Sequence, residues 1–172
     1  LYDLVHLFPR NYLDFSCPAA IRELKPGSVY CVRAIVGSDI SEARIRQGMT
    51  IYKTVVTDGD GVLHITIYNN RYLAEKLRTG EEFLFYGKVI NNRGALEMGS
   101  PIVESANLAS PIRPIYPLTA SLSSKTVENA VKNALELYYK TEPSDPIPDA
   151  IRKRFSLCHE QFALKSIHFP SC

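Results

Sequence analysis

The apolar residues of this chain follow two rhythms, and the changes of rhythm mark its elements. Leu1, Leu4, Val5 and Phe8 open with helical spacing. Pro9-Arg10 ends it, because proline removes a donor and restricts the residue before it. Ile21 and Leu24 lead to Lys25-Pro26-Gly27, a turn signal. From 28 to 105 the period becomes two. Val29, Cys31, Arg33 and Ile35 alternate with Tyr30, Val32, Ala34 and Val36 in a first strand. Residues 38–48 read as a polar loop, and 51–57 as a second strand. Asp58-Gly59-Asp60-Gly61 reads as a hairpin turn, since Gly and Asp tolerate the positive φ of tight turns. A third strand follows over 62–68, with Leu63, Ile65 and Ile67 opposite His64 and Thr66. Over 71–78 the period is helical, with Leu73 and Leu77 at i, i+4, and Thr79-Gly80 closes that helix. Residues 83–89 form a fourth strand, Asn91-Asn92-Arg93-Gly94 a second hairpin turn, and 95–103 a fifth strand. Gly99 and Pro101 interrupt the last one and predict an edge or a bulge.

The order β-β-β-α-β-β, with a long loop after the first strand and a tight turn before the last, predicts a mostly β fold. It is the order of a five-stranded OB-fold Greek-key barrel with helical extensions on both sides. A different small α+β sheet shares the same order. Residues 106–122 carry Pro111, Pro114 and Pro117 around Ile115 and Tyr116, which predicts an extended strap with apolar residues to bury. A helix is expected over 124–139, striped by Val127, Ala130, Val131, Ala134, Leu135 and Tyr138. That stripe must pack on the barrel or on the other helices. Shorter helices are expected over 149–154 and 158–166. The expected organisation is therefore an N-terminal extension (1–27), the barrel (28–105), the strap (106–122) and C-terminal helices (123–172).

Composition changes this picture little. The 172 residues are 45% hydrophobic and 22% charged, an ordinary globular balance. Net charge is only +2, so a nucleic-acid reading must rest on local features. No apolar run approaches the ~18 residues of a spanning helix, and no basic-then-apolar signal segment opens the chain. No membrane is expected, and a monomer is. Cys17, Cys31, Cys158 and Cys172 form no C-x-x-C pair, which points to reduced thiols in a cytosolic protein. The chain starts on Leu1, and we expect it to be part of a longer protein.

Several chemistries are missing from the sequence. Gly87-Lys88 is the nearest approach to a P-loop, but Glu82 and Val89 stand where Gly and Ser or Thr are needed. Asp58-Gly59-Asp60-Gly61 starts like a calcium loop, yet its twelfth position is Asn69 and its glycine comes too early. There is no G-x-S-x-G and no H-E-x-x-H. The chain alone is expected to have no catalytic residues, no metal and no cofactor.

What the sequence does offer is a strand-binding surface. OB barrels hold single strands on aromatic platforms flanked by basic residues. Tyr68-Asn69-Asn70-Arg71-Tyr72 lies at the strand-to-helix junction, with two tyrosines four residues apart and Arg71 between them for a phosphate. Arg44, Arg46 and Lys53 around the first long loop could add phosphate contacts. The structural alternatives are a Tyr68 that fills core or rim, and basic residues that simply face solvent.

Four segments in order also resemble the N-terminal wedge region of the RecG family of bacterial branch-migration DNA helicases. They are 7–14 with Pro9-Arg10-Asn11-Tyr12-Leu13-Asp14, 65–73 with Tyr68-Asn69-Asn70-Arg71-Tyr72-Leu73, 114–119 followed by Leu122-Ser123, and Ile167-His168-Phe169-Pro170. Asn11 departs from the family's usual second Arg. The resemblance implies an OB wedge that binds branched DNA, at replication forks and Holliday junctions, in recombination and repair. It implies that Tyr68 and Tyr72 stack on junction bases, with Asn69 and Arg71 beside them. It also implies a separate motor holding ATP and Mg²⁺, and a bacterial, cytoplasmic, nucleoid-associated protein. The alternatives are an OB module for single strands or for protein contact without a motor, or the OB domain of an unrelated enzyme.

Overall fold

The computed structural model describes residues 1–108, 110–118, 122–141 and 143–170. Thr119 of the Pro-rich segment and Cys172 lie outside the described residues. The chain forms two compact units, Phe15–Ala109 and a second made of Leu1–Asp14 with Ser110–Cys172. The division expected at 27/28 falls inside the first of these, because Ile21 and Leu24 are buried in the same cluster as the strands.

The first unit is the OB barrel. Its strands are β2 (Val29–Val36), β3 (Ser41–Arg46), β4 (Met49–Thr57), β5 (Val62–Tyr68), β6 (Glu82–Asn92), β7 (Ala95–Gly99) and β8 (Ile102–Ser105), with helix α2 (Arg71–Lys76) after β5. They pair in the order β2-β4-β5-β7-β6-β8, and β2 also pairs with β6, which closes the barrel. The β5–β7 pair is parallel and the others are antiparallel. Val32, Val36, Val56, Leu63, Ile65, Phe85, Val89 and Met98 fill the interior. The alternation that predicted the strands is thus the alternation between barrel inside and outside.

Three expectations are corrected within this unit. Residues 38–48 are not a loop: β3 pairs with β4 from Ser41↔Lys53 to Arg46↔Met49. All six β3 residues are exposed, so no apolar face advertised the strand. The fifth strand is two strands, β7 and β8, both paired to the long β6. Ser100, at φ 43°, breaks it just before Pro101. Gly87 lies in β6 beside this break; a Cβ there would meet Met98 Cγ at 2.9 Å, so only glycine lets Met98 fill the corner. Finally, α2 stops at Lys76, because Leu77 turns extended (ψ 98°) and enters the core.

The turn at 58–61 is built as expected, with the Asp58 carboxylate as its hub. Oδ1 accepts from the N–H groups of Asp60 (3.1 Å) and Gly61 (2.9 Å), and Oδ2 from that of Ile21 (2.7 Å). Burial alone would raise the pKa of this carboxyl, but those N–H donors outweigh it and hold it below the ordinary value.

The second unit joins the two ends of the described chain. β1 (Asn11–Asp14) pairs antiparallel with β9 (Ile112–Ile115), so the Pro-rich segment contributes a strand that its prolines did not announce. α1 (Tyr2–Val5), α3 (Ser124–Lys140), α4 (Asp149–Arg154) and α5 (Glu160–His168) complete it. The predicted stripe of α3 is the one used: Val127, Val131, Ala134 and Leu135 are buried with Val5, Tyr116 and Leu164. The Ser123 hydroxyl accepts from Thr126 N–H at 3.1 Å and caps α3. Cys17 and Cys158 are exposed free thiols.

Candidate nucleic-acid interface

β3 and β4 continue out of the barrel as an exposed two-stranded ribbon, and strand register assigns its residues to two faces. Ile51 lies opposite Tyr68, and Lys53 opposite Thr66. Ala43 lies opposite Ile51. One face therefore carries Ala43, Ile51, Lys53 and Tyr68. Arg44 pairs with Thr50 and Glu42 with Tyr52, so both belong to the other face. The register shifts between Arg44 and Arg46. That bulge at Ile45 brings Arg46 opposite Met49, and so onto the face of Lys53 and Tyr68.

Tyr68 is 44% exposed and stands on the outer face of the barrel, not in its core. A Cβ on Gly99 would come within 3.6 Å of its Cε2, so the ring lies over a glycine of β7. The alternative of a core Tyr68 is thereby set aside. Tyr72, in the first turn of α2, is 81% exposed. Among the described residues, neither ring pairs with another aromatic.

Between them, Asn69 has φ 51° and spends its amide inside the protein. Its Oδ1 accepts from Thr50 N–H (2.8 Å) and its Nδ2 donates to the Gly48 carbonyl (3.0 Å). Asn69 thus ties the ribbon turn to the end of β5 beside Tyr68. Asn70 caps α2 by accepting from Leu73 N–H at 3.0 Å. Arg71 is exposed, and its Nε donates to Glu75 at 2.7 Å. Glu75 first, then the charges of Tyr52 and Glu42, favour its charged form.

Sequence reasoning missed the centre of the outer face. Glu97 of β7 lies beside His64 of β5 and is 7% exposed. It accepts from Asn92 Nδ2 at 2.5 Å and from Thr66. Burial opposes its ionisation, but Asn92, Thr66, Lys53 and His64 together hold its pKa below the ordinary value. A fixed anion therefore sits beside Lys53. The only available signal was a Glu within a strand otherwise apolar.

A family model of the RecG wedge domain matches residues 1–137. The chain belongs to the RecG wedge family. Proteins named ATP-dependent DNA helicase RecG from Synechocystis sp. and Aquifex aeolicus are 26% and 27% identical over 98% and 99% of the chain. The chain spans 22% and 23% of their lengths, about a quarter. A solved structure described as RecG bound to a three-way DNA junction superposes with a TM-score of 0.82 at 25% identity. It matches 99% of this chain and 24% of that one. The OB barrel and its flanking helices are thus the wedge architecture of RecG. No described helix is long and apolar enough to cross a membrane.

Proposed function

We propose that this chain is the branch-recognising wedge of a RecG-type ATP-dependent DNA helicase acting on replication forks and Holliday junctions. The observation that carries this reading is the two-faced ribbon. Arg46, Lys53 and the exposed Tyr68 share one face, and Arg44 lies on the other. Parting strands need two such surfaces, one for each. The junction-bound RecG structure that shares the fold adds support.

A base at a branch has lost a stacking partner. An aromatic ring replaces it at ~1–3 kcal/mol per base, whatever the base. What supports this role is exposure: Tyr68 ends β5 over the bare Gly99, and Tyr72 stands in the first turn of α2. Arg44, Arg46 and Lys53 hold phosphates, with salt-dependent strength. Glu97, an anion beside Lys53, offsets part of that lysine's attraction for phosphate. Asn69 acts as a positioning residue, since both ends of its amide are engaged. Arg71 must exchange Glu75 for a phosphate and contributes least.

The sequence contains no P-loop, so in this reading ATP and Mg²⁺ belong to a motor elsewhere in a bacterial, nucleoid-associated parent protein. This chain's part is to hold the branch while that motor draws duplex toward it.

The test is a double variant, Tyr68→Ala with Tyr72→Ala, titrated against a fork and a plain duplex at fixed salt. Fork affinity should fall at least about tenfold, with duplex affinity and melting temperature nearly unchanged. A stable double variant with the wild-type fork preference removes these tyrosines from the site. Wild-type affinity for unbranched single strands equal to that for forks favours a simple strand-binding module instead.

A further inference from the structure

Ile45 is the oddest residue of the ribbon. It is 59% exposed in a strand whose six residues are all exposed, with an arginine on each side. The partner strand gives it no residue of its own: Arg44 pairs with Thr50 and Arg46 with Met49, consecutive positions of β4. Ile45 is therefore the extra residue of a bulge, close to the turn at Gly48, which has φ 77°. The bulge also separates the two arginines onto opposite faces. Nothing in the barrel requires an isoleucine there, because the side chain fills no core.

The position is held, not loose. Asn69 bonds Thr50 and Gly48, the residues that flank Met49, and so anchors the turn to the end of β5. Ile51 is opposite Tyr68, so the Ile45 bulge lies roughly two residues, ~7 Å along the ribbon, beyond the tyrosine row. An apolar, β-branched side chain projects from a rigid tip, with one cation directed to each side.

We propose that Ile45 is the point of the wedge. It enters the base step at the branch and unstacks it, while Arg44 and Arg46 each hold a phosphate of one parting strand. Apolar side chains beside arginines open base steps in this way, because the exposed hydrocarbon gains contact and the flanking cations neutralise the strands it separates. The inference rests on the wedge reading above and assigns it a contact that the aromatic residues do not make.

The experiment uses the 172-residue chain and a three-way junction carrying 2-aminopurine next to the branch, with an unbranched duplex of the same sequence as reference. The wild-type chain should raise the fluorescence of the probe. Ile45→Thr keeps the β-branched shape and removes most of the apolar contact. It should lose the fluorescence rise and weaken junction binding about five- to tenfold, with duplex affinity and melting temperature unchanged. Ile45→Phe should preserve both signals. Arg44→Gln and Arg46→Gln should each reduce the slope of log affinity against log salt by about one. If Ile45→Thr binds and unstacks like wild type while the tyrosine double variant loses fork preference, the inference falls and the wedge reading stands. An equal loss on junction and duplex also overturns it, since Ile45 would then only shape the ribbon. A wild-type chain without preference for the junction sinks both.

Discussion

The barrel's buried polar side chains, Thr54, Thr66 and Glu97, lie within its strands, whereas the helical unit buries an imidazole and a guanidinium among segments that no ladder joins. In the barrel, neighbouring strands already satisfy one another's backbone groups, and the ladder sets where each side chain stands. The helical unit brings together α1, the segment after β9, α3 and α5, which share no common ladder. His168, fully buried, supplies the missing directional bonds. The Val5 carbonyl can only accept, so His168 Nε2 carries the proton and donates to it at 2.7 Å. Neutral Nδ1 then accepts from the Tyr116 hydroxyl at 2.9 Å. Tyr12 adds a bond from β1 to the Ile167 carbonyl at 2.7 Å. Arg152 pairs with Asp145 and Asp149, and Asp145 also accepts from Glu160 N–H at the start of α5. A small core of distant segments is located by buried polar groups, and a closed sheet has less need of them.

The strongest way to break this comparison is His168→Leu. It keeps the volume but leaves a buried carbonyl and a buried hydroxyl unpaired, at a cost of about 2–4 kcal/mol in urea unfolding. Adding Tyr116→Phe should recover part of that loss, because one orphan group is removed. A single variant as stable as wild type would show that hydrocarbon alone locates these segments.

In the barrel the equivalent hub is Asp58, which is an exposed-turn feature and not a core one. Asp58→Ala frees three N–H groups, of which those of Asp60 and Gly61 lie in a half-exposed turn where water can serve them. We expect a smaller cost, about 1–2 kcal/mol, with faster amide exchange at Ile21 and Gly61. A loss larger than that of His168→Leu would reverse the contrast.

The smallest effect is the separation in pH. Burial first, and the nearby His6 as well, lower the His168 pKa below its ordinary 6.5, against the Val5 bond that raises it. The unfolded chain then binds the proton more readily. The stability from neutral His168 is complete above 6.5 and declines as pH falls through the folded value. Asp58 and Glu97 are carboxyls with lowered pKa, so their contribution is lost only below 3.8 and 4.5 respectively. Amides of α3 and α5 should therefore lose protection in mild acid before those of β4 to β6. Simultaneous loss in both regions at mildly acid pH would contradict this. His168→Leu should remove the early phase.

Much was legible because the barrel and α3 each bury one face. The period of two found β2, β4, β5 and β6, and the stripe of α3 named its buried residues. Asp58-Gly59-Asp60-Gly61 and Asn91-Asn92-Arg93-Gly94 located both turns, and at the second Arg93 and Gly94 take φ 53° and 91°. The ribbon was hidden for the opposite reason. β3 buries neither face, although Ala43 and Ile45 do alternate with Arg44 and Arg46 and Gly48 marks a turn. Pairing in β1 and β9 was equally silent, because two short segments about a hundred residues apart show no common pattern.

The sequence by itself determined where β2, β4, β5, β6 and α3 lie, which of their faces is apolar, and that the Tyr68–Tyr72 segment follows a strand end. These follow from local periodicity and turn chemistry, which each segment carries alone. Only the tertiary structure decided which basic residues share a face with Tyr68, that Asn69 is spent on the ribbon, that Glu97 and His168 are buried, and that a bulge sets Ile45 at the tip. Each of these depends on register between strands or on contact between distant segments. A one-residue shift in register turns a side chain to the other face without changing the pattern along the chain.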